Sequence, residues 1–356
     1  MNPIDFARAD IRALQPYASA RALAISAGVL LNANENPWPP EGDDGLQLNR
    51  YPDPQPAELK ARLADYYGVA SEQILITRGS DEGIDLLIRA YCRAGIDRVL
   101  TCPPCFGMYA LSARIQGAQV VEIPLLERDG AWQVDPVGID KVPACRLYFL
   151  CSPNNPTGNL VPTEQVLALA DRVAGHGLVI IDEAYIEFCD QASLVSAIGD
   201  RPNLVVLRTL SKAFALAGCR IGALIADPRI IDLLRRIIAP YPLPTPSVAA
   251  ALRALAGNES RGRQLAELAD QKRRLVTALE AQKTIRTIWP GEANFVLIRV
   301  DDGPALVEAA GEAGIRLRDQ SAQPGLANCV RITVGTAEET GILIDFMADF
   351  SKEQHP

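Results

Sequence analysis

Histidine is almost missing from this chain: His176 and His355 are the only two in 356 residues. A Ser/His/Asp hydrolase needs one of them, and so do most zinc sites. His355 stands in a polar tail, and His176 lies in Ala174-Gly175-His176-Gly177, a helix-end signal ahead of an apolar run. Neither position suits catalysis. A basic surplus is missing too, because 35 Lys+Arg against 43 Asp+Glu leave a net charge of -8. Nucleic acids and anionic membranes take most of their attraction from a basic face, so neither is expected as a partner. A small anionic ligand stays compatible, since a few arginines make a local positive pocket in an acidic protein. No apolar run is long enough to span a bilayer: the charge-free stretch from Ile237 to Leu252 carries four prolines. The opening MNPIDFARADIRALQ has no apolar segment of the signal-peptide kind, so none is expected. Eight cysteines without a framework suit a reducing cytoplasm. Cys102-Pro103-Pro104-Cys105 has the CxxC spacing of a redox or zinc site, but there is no second pair and no nearby histidine. It reads as structural, and no metal is expected.

What is present is a regular alternation. Short apolar runs recur at Ile74-Thr77, Arg98-Thr101, Val120-Ile123, Leu147-Leu150, Leu178-Asp182, Leu204-Arg208 and Ile221-Ile225, most of them separated by helix-length segments. That is the signature of an α/β protein with a mainly parallel sheet covered on both faces, a three-layer α/β/α domain. Sheets of this kind place ligands at the carboxyl ends of their strands. The Pro-rich stretch Ala239-Pro246 reads as a hinge. Beyond it Val248-Leu279 is helical in pattern, and Asn294-Arg299 and Cys329-Val334 read as strands of a smaller α+β domain. The expected division is 31–245 for the large domain, with 1–30 and 246–356 in the small one.

Three motifs directly follow three of these strands. Ser152-Pro153-Asn154-Asn155-Pro156-Thr157-Gly158 combines rigid prolines with uncharged amide donors and acceptors. Asp182-Glu183-Ala184-Tyr185 puts an acid at the end of an apolar strand, which is costly unless a cation meets it. Thr209-Leu210-Ser211-Lys212-Ala213-Phe214 presents a lysine, with Arg220 shortly after. Each has an ordinary reading: a Pro/Asn turn, a helix cap, a lysine snorkelling to the surface. Together they point elsewhere. A lysine and an aspartate at one sheet edge match the needs of pyridoxal phosphate, whose aldehyde the amine captures and whose ring nitrogen the acid keeps protonated. Asn155 and Tyr185 could then bond the ring's phenolic oxygen. Gly79-Ser80-Asp81-Glu82 opens a helix whose free N–H groups make a phosphate cup, with Ser211 and Arg220 to complete it.

The spacing of SPNNPTG, DEAY and TLSKAFALAGCRIG resembles the fold-type-I pyridoxal-phosphate aminotransferases. Asn32-Ala33-Asn34-Glu35-Asn36-Pro37, Asn49-Arg50-Tyr51-Pro52, Arg78-Gly79-Ser80-Asp81-Glu82-Gly83, Leu317-Arg318-Asp319-Gln320 and Arg331-Ile332-Thr333-Val334-Gly335 narrow the likeness to the histidinol-phosphate aminotransferases, from about Leu31 to Thr336. The resemblance implies that Lys212 binds pyridoxal 5'-phosphate and then shuttles a proton, while Asp182 meets the pyridine nitrogen. It implies that Asn155 and Tyr185 hold the phenolic oxygen, and that Ser80, Asp81, Ser211 and Arg220 bind the cofactor phosphate. Tyr51 would reach that phosphate from the other subunit of a homodimer. Arg318 and Arg331 would hold the substrate phosphate or the carboxylate of glutamate, with Tyr17 near an imidazole. One departure is visible, Phe106 in Pro103-Pro104-Cys105-Phe106-Gly107-Met108-Tyr109, where the family usually has a tyrosine stacked on the ring. Stacking survives the change and the hydroxyl does not. The implied reaction exchanges an amino group between L-histidinol phosphate and 2-oxoglutarate. The alternatives are an aromatic or broad-specificity aminotransferase, a phosphoamino-acid decarboxylase using the same cofactor, or a non-catalytic binding protein of the same fold. A nicotinamide enzyme is disfavoured, since no strand precedes a G-x-G-x-x-G.

Overall fold

The computed structural model describes residues 2–17 and 28–354. Its larger sheet contains seven strands: β1 (Ile74–Thr77), β2 (Arg98–Thr101), β3 (Gln119–Glu122), β6 (Leu147–Cys151), β7 (Leu178–Asp182), β8 (Leu204–Thr209) and β9 (Gly222–Ile225). The remaining two strands before β6, β4 (Leu126–Arg128) and β5 (Ala131–Gln133), form a separate hairpin. The order across the large sheet is β1-β9-β8-β7-β6-β2-β3. Every residue of β6, β7 and β8 is buried, as expected of strands covered on both faces. Their side chains divide by alternation. Tyr148, Leu150, Val179, Ile181, Leu204 and Val206 join one core, and Leu147, Phe149, Leu178, Ile180, Val205 and Leu207 join the other. Burying each such aliphatic side chain contributes about 1.5–3 kcal/mol. The helices Ala57–Tyr67 and Thr163–Val173 cover the first face through Leu59, Leu63, Val166 and Leu169. Gly79–Tyr91, Met108–Gln116 and Pro228–Leu234 cover the second through Ile84, Leu87, Tyr109 and Ile231. This is the three-layer α/β/α arrangement.

Only β9 runs against its neighbours, antiparallel to both β8 and β1. The segment joining β8 to β9 holds one short 3-10 turn, Ala217–Cys219, and no α-helix, and the chain returns antiparallel beside β8. That reversal has a consequence for the site: it brings Arg220, just ahead of β9, to the edge where β8 ends.

The smaller sheet holds β10 (Ile285–Trp289), β11 (Phe295–Val300), β12 (Arg318–Asp319) and β13 (Cys329–Thr333) in the order β10-β11-β13-β12, all antiparallel. The helices Asn258–Glu280, Gly303–Glu312 and Ala337–Gln354 back it, with Leu275, Leu279, Val296, Ile298, Leu306, Val330, Ile332 and Met347 in its core. The helical stretch expected over Val248-Leu279 is made of two helices, Thr245–Ala256 and Asn258–Glu280, parted at Gly257. Glycine is a poor helix residue and breaks the run there. Pro244 caps the first of them and Pro246 sits in its first turn, where a missing N–H costs nothing.

The N-terminal segment departs from the expected grouping of residues 1–30 with the smaller domain. Residues 3–13 lie on the helices of the large sheet. Ala7 is buried and belongs to the same apolar cluster as Ile84, Leu87 and Ile231, and the Arg8 N–H donates to Ala90 O at 2.9 Å. An apolar patch on the large sheet's helices, rather than the smaller sheet, takes up Ile4, Phe6 and Ala7. His355 lies outside the described residues. Among the described residues no helix is long and apolar enough to cross a membrane.

Candidate active site

β6, β7 and β8 end side by side, with Cys151 opposite Asp182 and Asp182 opposite Leu207. The SPNNPTG loop therefore leaves the sheet on one side of Asp182 and the Lys212 loop on the other. Between them and the smaller sheet lies a cleft of about 640 Å³. It is lined by Ser80, Asp81, Phe106, Asn155, Asp182, Tyr185, Ser211, Lys212, Arg220, Arg318 and Arg331. All of these were singled out from sequence. Two other expected residues stand elsewhere in the chain: Tyr17 lines a recess with Arg235 and Arg236, and Tyr51 lines another with Glu35 and Pro244.

Asp182 and Glu183 are both buried acids, and their surroundings differ. Glu183 accepts hydrogen bonds from Ser193 and from Leu194 N–H, and lies 3.4 Å from Arg208, which also pairs with Glu187 at 2.5 Å. It is neutralised within the fold. Asp182 is 2% exposed and has no ion-pair partner within salt-bridge distance among the described residues. Its Oδ2 accepts from the Tyr109 hydroxyl at 2.7 Å and its Oδ1 from Ala184 N–H at 3.1 Å. Burial raises its pKa to about 6, against the pull of these donors and of Lys212. A carboxylate held this way at the wall of a cleft is short of one cation.

Opposite it, the Lys212 ammonium is destabilised. Desolvation by the cleft walls comes first, followed by the positive charges of Arg331 and Arg220, and together they lower its pKa. Its Nζ lies 5.5 Å from the centre of the Tyr185 ring. The loop that presents it is tied down at Leu210 N–H to Ile221 O, 2.9 Å, and Leu216 N–H to Leu210 O, 3.1 Å, with Ala213 and Phe214 buried.

The end of the cleft at β1 is an anion cup. The helix Gly79–Tyr91 starts there, leaving its first N–H groups without intrahelical partners. Gly79 has φ +72°, and a Cβ on it would come within 2.7 Å of Arg220 Nη2. A side chain on Gly222 would collide with the Gly79 backbone. Both glycines let the guanidinium close over the helix end. Arg220 itself takes a left-handed backbone (φ +54°) and donates to Asp81 Oδ2 at 2.9 Å and to Ser211 Oγ at 3.3 Å. The Asp81 carboxylate thus aims the arginine; an anion in the cup would be met by the arginine, the serines and the backbone.

The outer wall comes from the smaller sheet. Arg318 on β12 sits directly opposite Arg331 on β13. Arg331 Nη1 donates to Asn155 Oδ1, its guanidinium lies 5.3 Å from the Phe295 ring centre, and its Nε is buried without a partner. Burial and the charge of Arg318 lower its pKa, though Tyr185 acts against them. The two sheets are also pinned together beside the cleft. Glu292 N–H donates to Gly158 O at 2.7 Å, and a Cβ on Gly158 would lie 2.8 Å from Gly291.

Sequence reasoning missed Tyr109, Gln320 and Gln323. Gln320 and Gln323 line the cleft beside Arg318 and bond each other at 2.8 Å. The only hint for Tyr109 was its place one helical turn beyond Phe106. The thiols of the CxxC pair are pushed up by burial, Cys105 to about 12, so neither favours the thiolate that redox or metal chemistry requires. His176 lies outside the cleft, with Nε2 3.2 Å from the Tyr148 hydroxyl.

Pyridoxal phosphate fits this donor set on three counts. There is an acid lacking a cation, a lysine with a depressed pKa in the same cleft, and a cup in which a helix N-terminus, Ser211 and Arg220 converge. Comparison with known proteins agrees. The family model "Aminotransferase class I and II" matches residues 27–347. The histidinol-phosphate aminotransferase of Xylella fastidiosa (strain 9a5c) is 44% identical over 351 residues, covering 97% of this chain and 96% of that protein. That of Aeromonas salmonicida (strain A449) is 45% identical over 353 residues, covering 98% and 99%. The crystal structure of histidinol-phosphate aminotransferase from Sinorhizobium meliloti in complex with pyridoxal-5'-phosphate aligns with TM-score 0.77 at 25% identity, over 90% of each chain. With motifs, cleft and near full-length similarity in agreement, this chain belongs to the class I and II aminotransferases.

Proposed function

We propose that the protein transfers an amino group between L-histidinol phosphate and 2-oxoglutarate, with pyridoxal phosphate held between Lys212 and Asp182. The observation that carries this reading is the pairing of a deprotonation-prone lysine and an unneutralised acid in one cleft, with two facing arginines on its outer wall. When bound, the cofactor supplies an aldehyde and a protonated ring that draws electrons from the substrate Cα. Asp182 holds the ring N–H, and Asn155 and Tyr185 hold the phenolic oxygen. The N–H groups at Gly79–Asp81, with Ser80, Ser211 and Arg220, hold the phosphate. With the cofactor bound, Lys212 Nζ would carry the proton that leaves the substrate Cα, a task for which a lowered pKa suits it. Arg318 and Arg331 take the distal anion of each substrate in turn, the phosphate of one and the carboxylate of the other. An analogue without that anion leaves two guanidiniums unpaired, which supplies selectivity.

Residues 31–245 form the cofactor module and 246–356 the smaller one. Tyr51 stacks on Tyr241 at 4.4 Å and is half exposed, outside its own chain's cleft. That placement favours a homodimer in which Tyr51 serves the partner's cofactor. Eight free thiols suit a cytoplasmic setting.

Purified protein loaded with pyridoxal phosphate is expected to change its absorption with histidinol phosphate and recover it with 2-oxoglutarate, releasing glutamate. Release of CO₂ from a phosphoamino acid without glutamate-dependent turnover would establish the lyase instead. It should sediment at twice 38.4 kDa, and Tyr51→Phe should weaken cofactor retention; full activity in a monomer would overturn the shared site.

A further inference from the structure

Tyr109 carries none of the roles above, yet it makes the shorter of the two described hydrogen bonds to Asp182, 2.7 Å against 3.1 Å from Ala184 N–H. Its ring is fully buried and stacks on Phe149 at 4.9 Å and 11°. Phe106, in the cleft wall, meets it edge-on at 5.7 Å and 81°. The hydroxyl is therefore fixed from two sides, by a strand of the sheet and by the aromatic wall of the site.

We propose that Tyr109 is a positioning residue that keeps the Asp182 carboxylate ionised and oriented toward the protonated ring nitrogen of pyridoxal phosphate. This rests on the cofactor assignment of the preceding section. The chemistry of the donor supports it. A phenol is neutral, so it stabilises the carboxylate by a hydrogen bond and leaves the full negative charge for a ligand. A lysine or arginine at the same place would cancel that charge, as Arg208 does for neighbouring Glu183. An apolar residue would leave Oδ2 desolvated with no donor, and a buried acid so placed goes neutral. A neutral Asp182 cannot hold the ring nitrogen in its protonated form. Ala184 N–H alone fixes one oxygen; with Tyr109 on the other, the plane of the carboxylate is set.

The test is Tyr109→Phe, which keeps ring and stacking and removes one oxygen. Affinity of the cofactor-free protein is measured by absorption titration with pyridoxal phosphate and with its 1-deaza analogue, in which carbon replaces the ring nitrogen. The expected result is a loss of about tenfold or more for pyridoxal phosphate, with the analogue bound as before. Equal losses for both compounds would mean that Tyr109 serves packing alone, and an undiminished affinity for pyridoxal phosphate would also overturn the proposal. Should the variant not fold, 3-fluorotyrosine at position 109 keeps the shape and strengthens the donor. It should tighten the natural cofactor and not the analogue; an unchanged preference would count against the proposal. Failure of the unaltered protein to bind pyridoxal phosphate at all would instead overturn the proposed function, so the two failures are distinct.

Discussion

Lys212→Ala is expected to lower transamination by roughly 10³-fold or more while leaving the fold intact, because one side chain supplies both the cofactor's attachment and the proton transfer. The loop has its own anchors: Leu210 and Leu216 are bonded to backbone, and Ala213 and Phe214 are buried. Removing the amine therefore removes chemistry and not support. Its lowered pKa, caused by desolvation and by Arg331 and Arg220, means that more neutral amine is present at a given pH than for an ordinary lysine. Turnover and melting temperature, measured on the same preparation, separate the two effects. Full turnover in the variant would remove Lys212 from the mechanism.

Asp182→Asn is expected to have opposite effects on stability and function. Burial raises the folded-state pKa of Asp182 to about 6, above the ordinary value for an aspartate. A raised pKa means that the stability linked to this group is fully present below the unfolded pKa, near 4, and is lost as pH rises through 6. In the cofactor-free protein the ionised carboxylate therefore costs about 3 kcal/mol above that range. Asparagine carries no charge and keeps one acceptor, so it satisfies Tyr109 or Ala184 N–H but not both, a cost of about 1–3 kcal/mol that does not depend on pH. Relative to the parent, the cofactor-free variant should gain about 3 kcal/mol of stability as pH rises from 4 to 7.5, the span over which the parent's carboxylate ionises. Its turnover should fall by roughly 10²–10³-fold, because the cofactor loses the charge that compensates its ring nitrogen. Cys102→Ala, which alters a buried thiol behind the site, should leave turnover nearly unchanged. Equal losses in the two variants would mean that Asp182 has no special relation to the cofactor.

How far the sequence announced this protein depends on whether the information was local. β1, β2 and β7 have the bounds expected from their apolar runs, and β6, β8 and β9 differ from theirs by one residue at one end. β3 is one residue out of place, being partly exposed. β12 escaped notice because Arg318-Asp319 carries no apolar signal; only pairing with β13 makes it a strand, and that pairing sets the two arginines face to face. β10 carries Arg286 and Thr287 side by side within its five residues, which leaves no apolar alternation to read. The site motifs were legible because each sits within a few residues of a strand end. Tyr109 was not, since its partner lies 73 positions away. The N-terminal segment was misplaced for the same reason, as its contact with Ala90 leaves no mark in either local pattern.

Borohydride reduction of the cofactor-loaded protein, followed by peptide mass mapping, asks directly whether the lysine facing Asp182 is the one that holds pyridoxal phosphate. The predicted result is a phosphopyridoxyl group on Lys212 alone, retained there in Asp182→Asn. A group on any other lysine, or none, would contradict it.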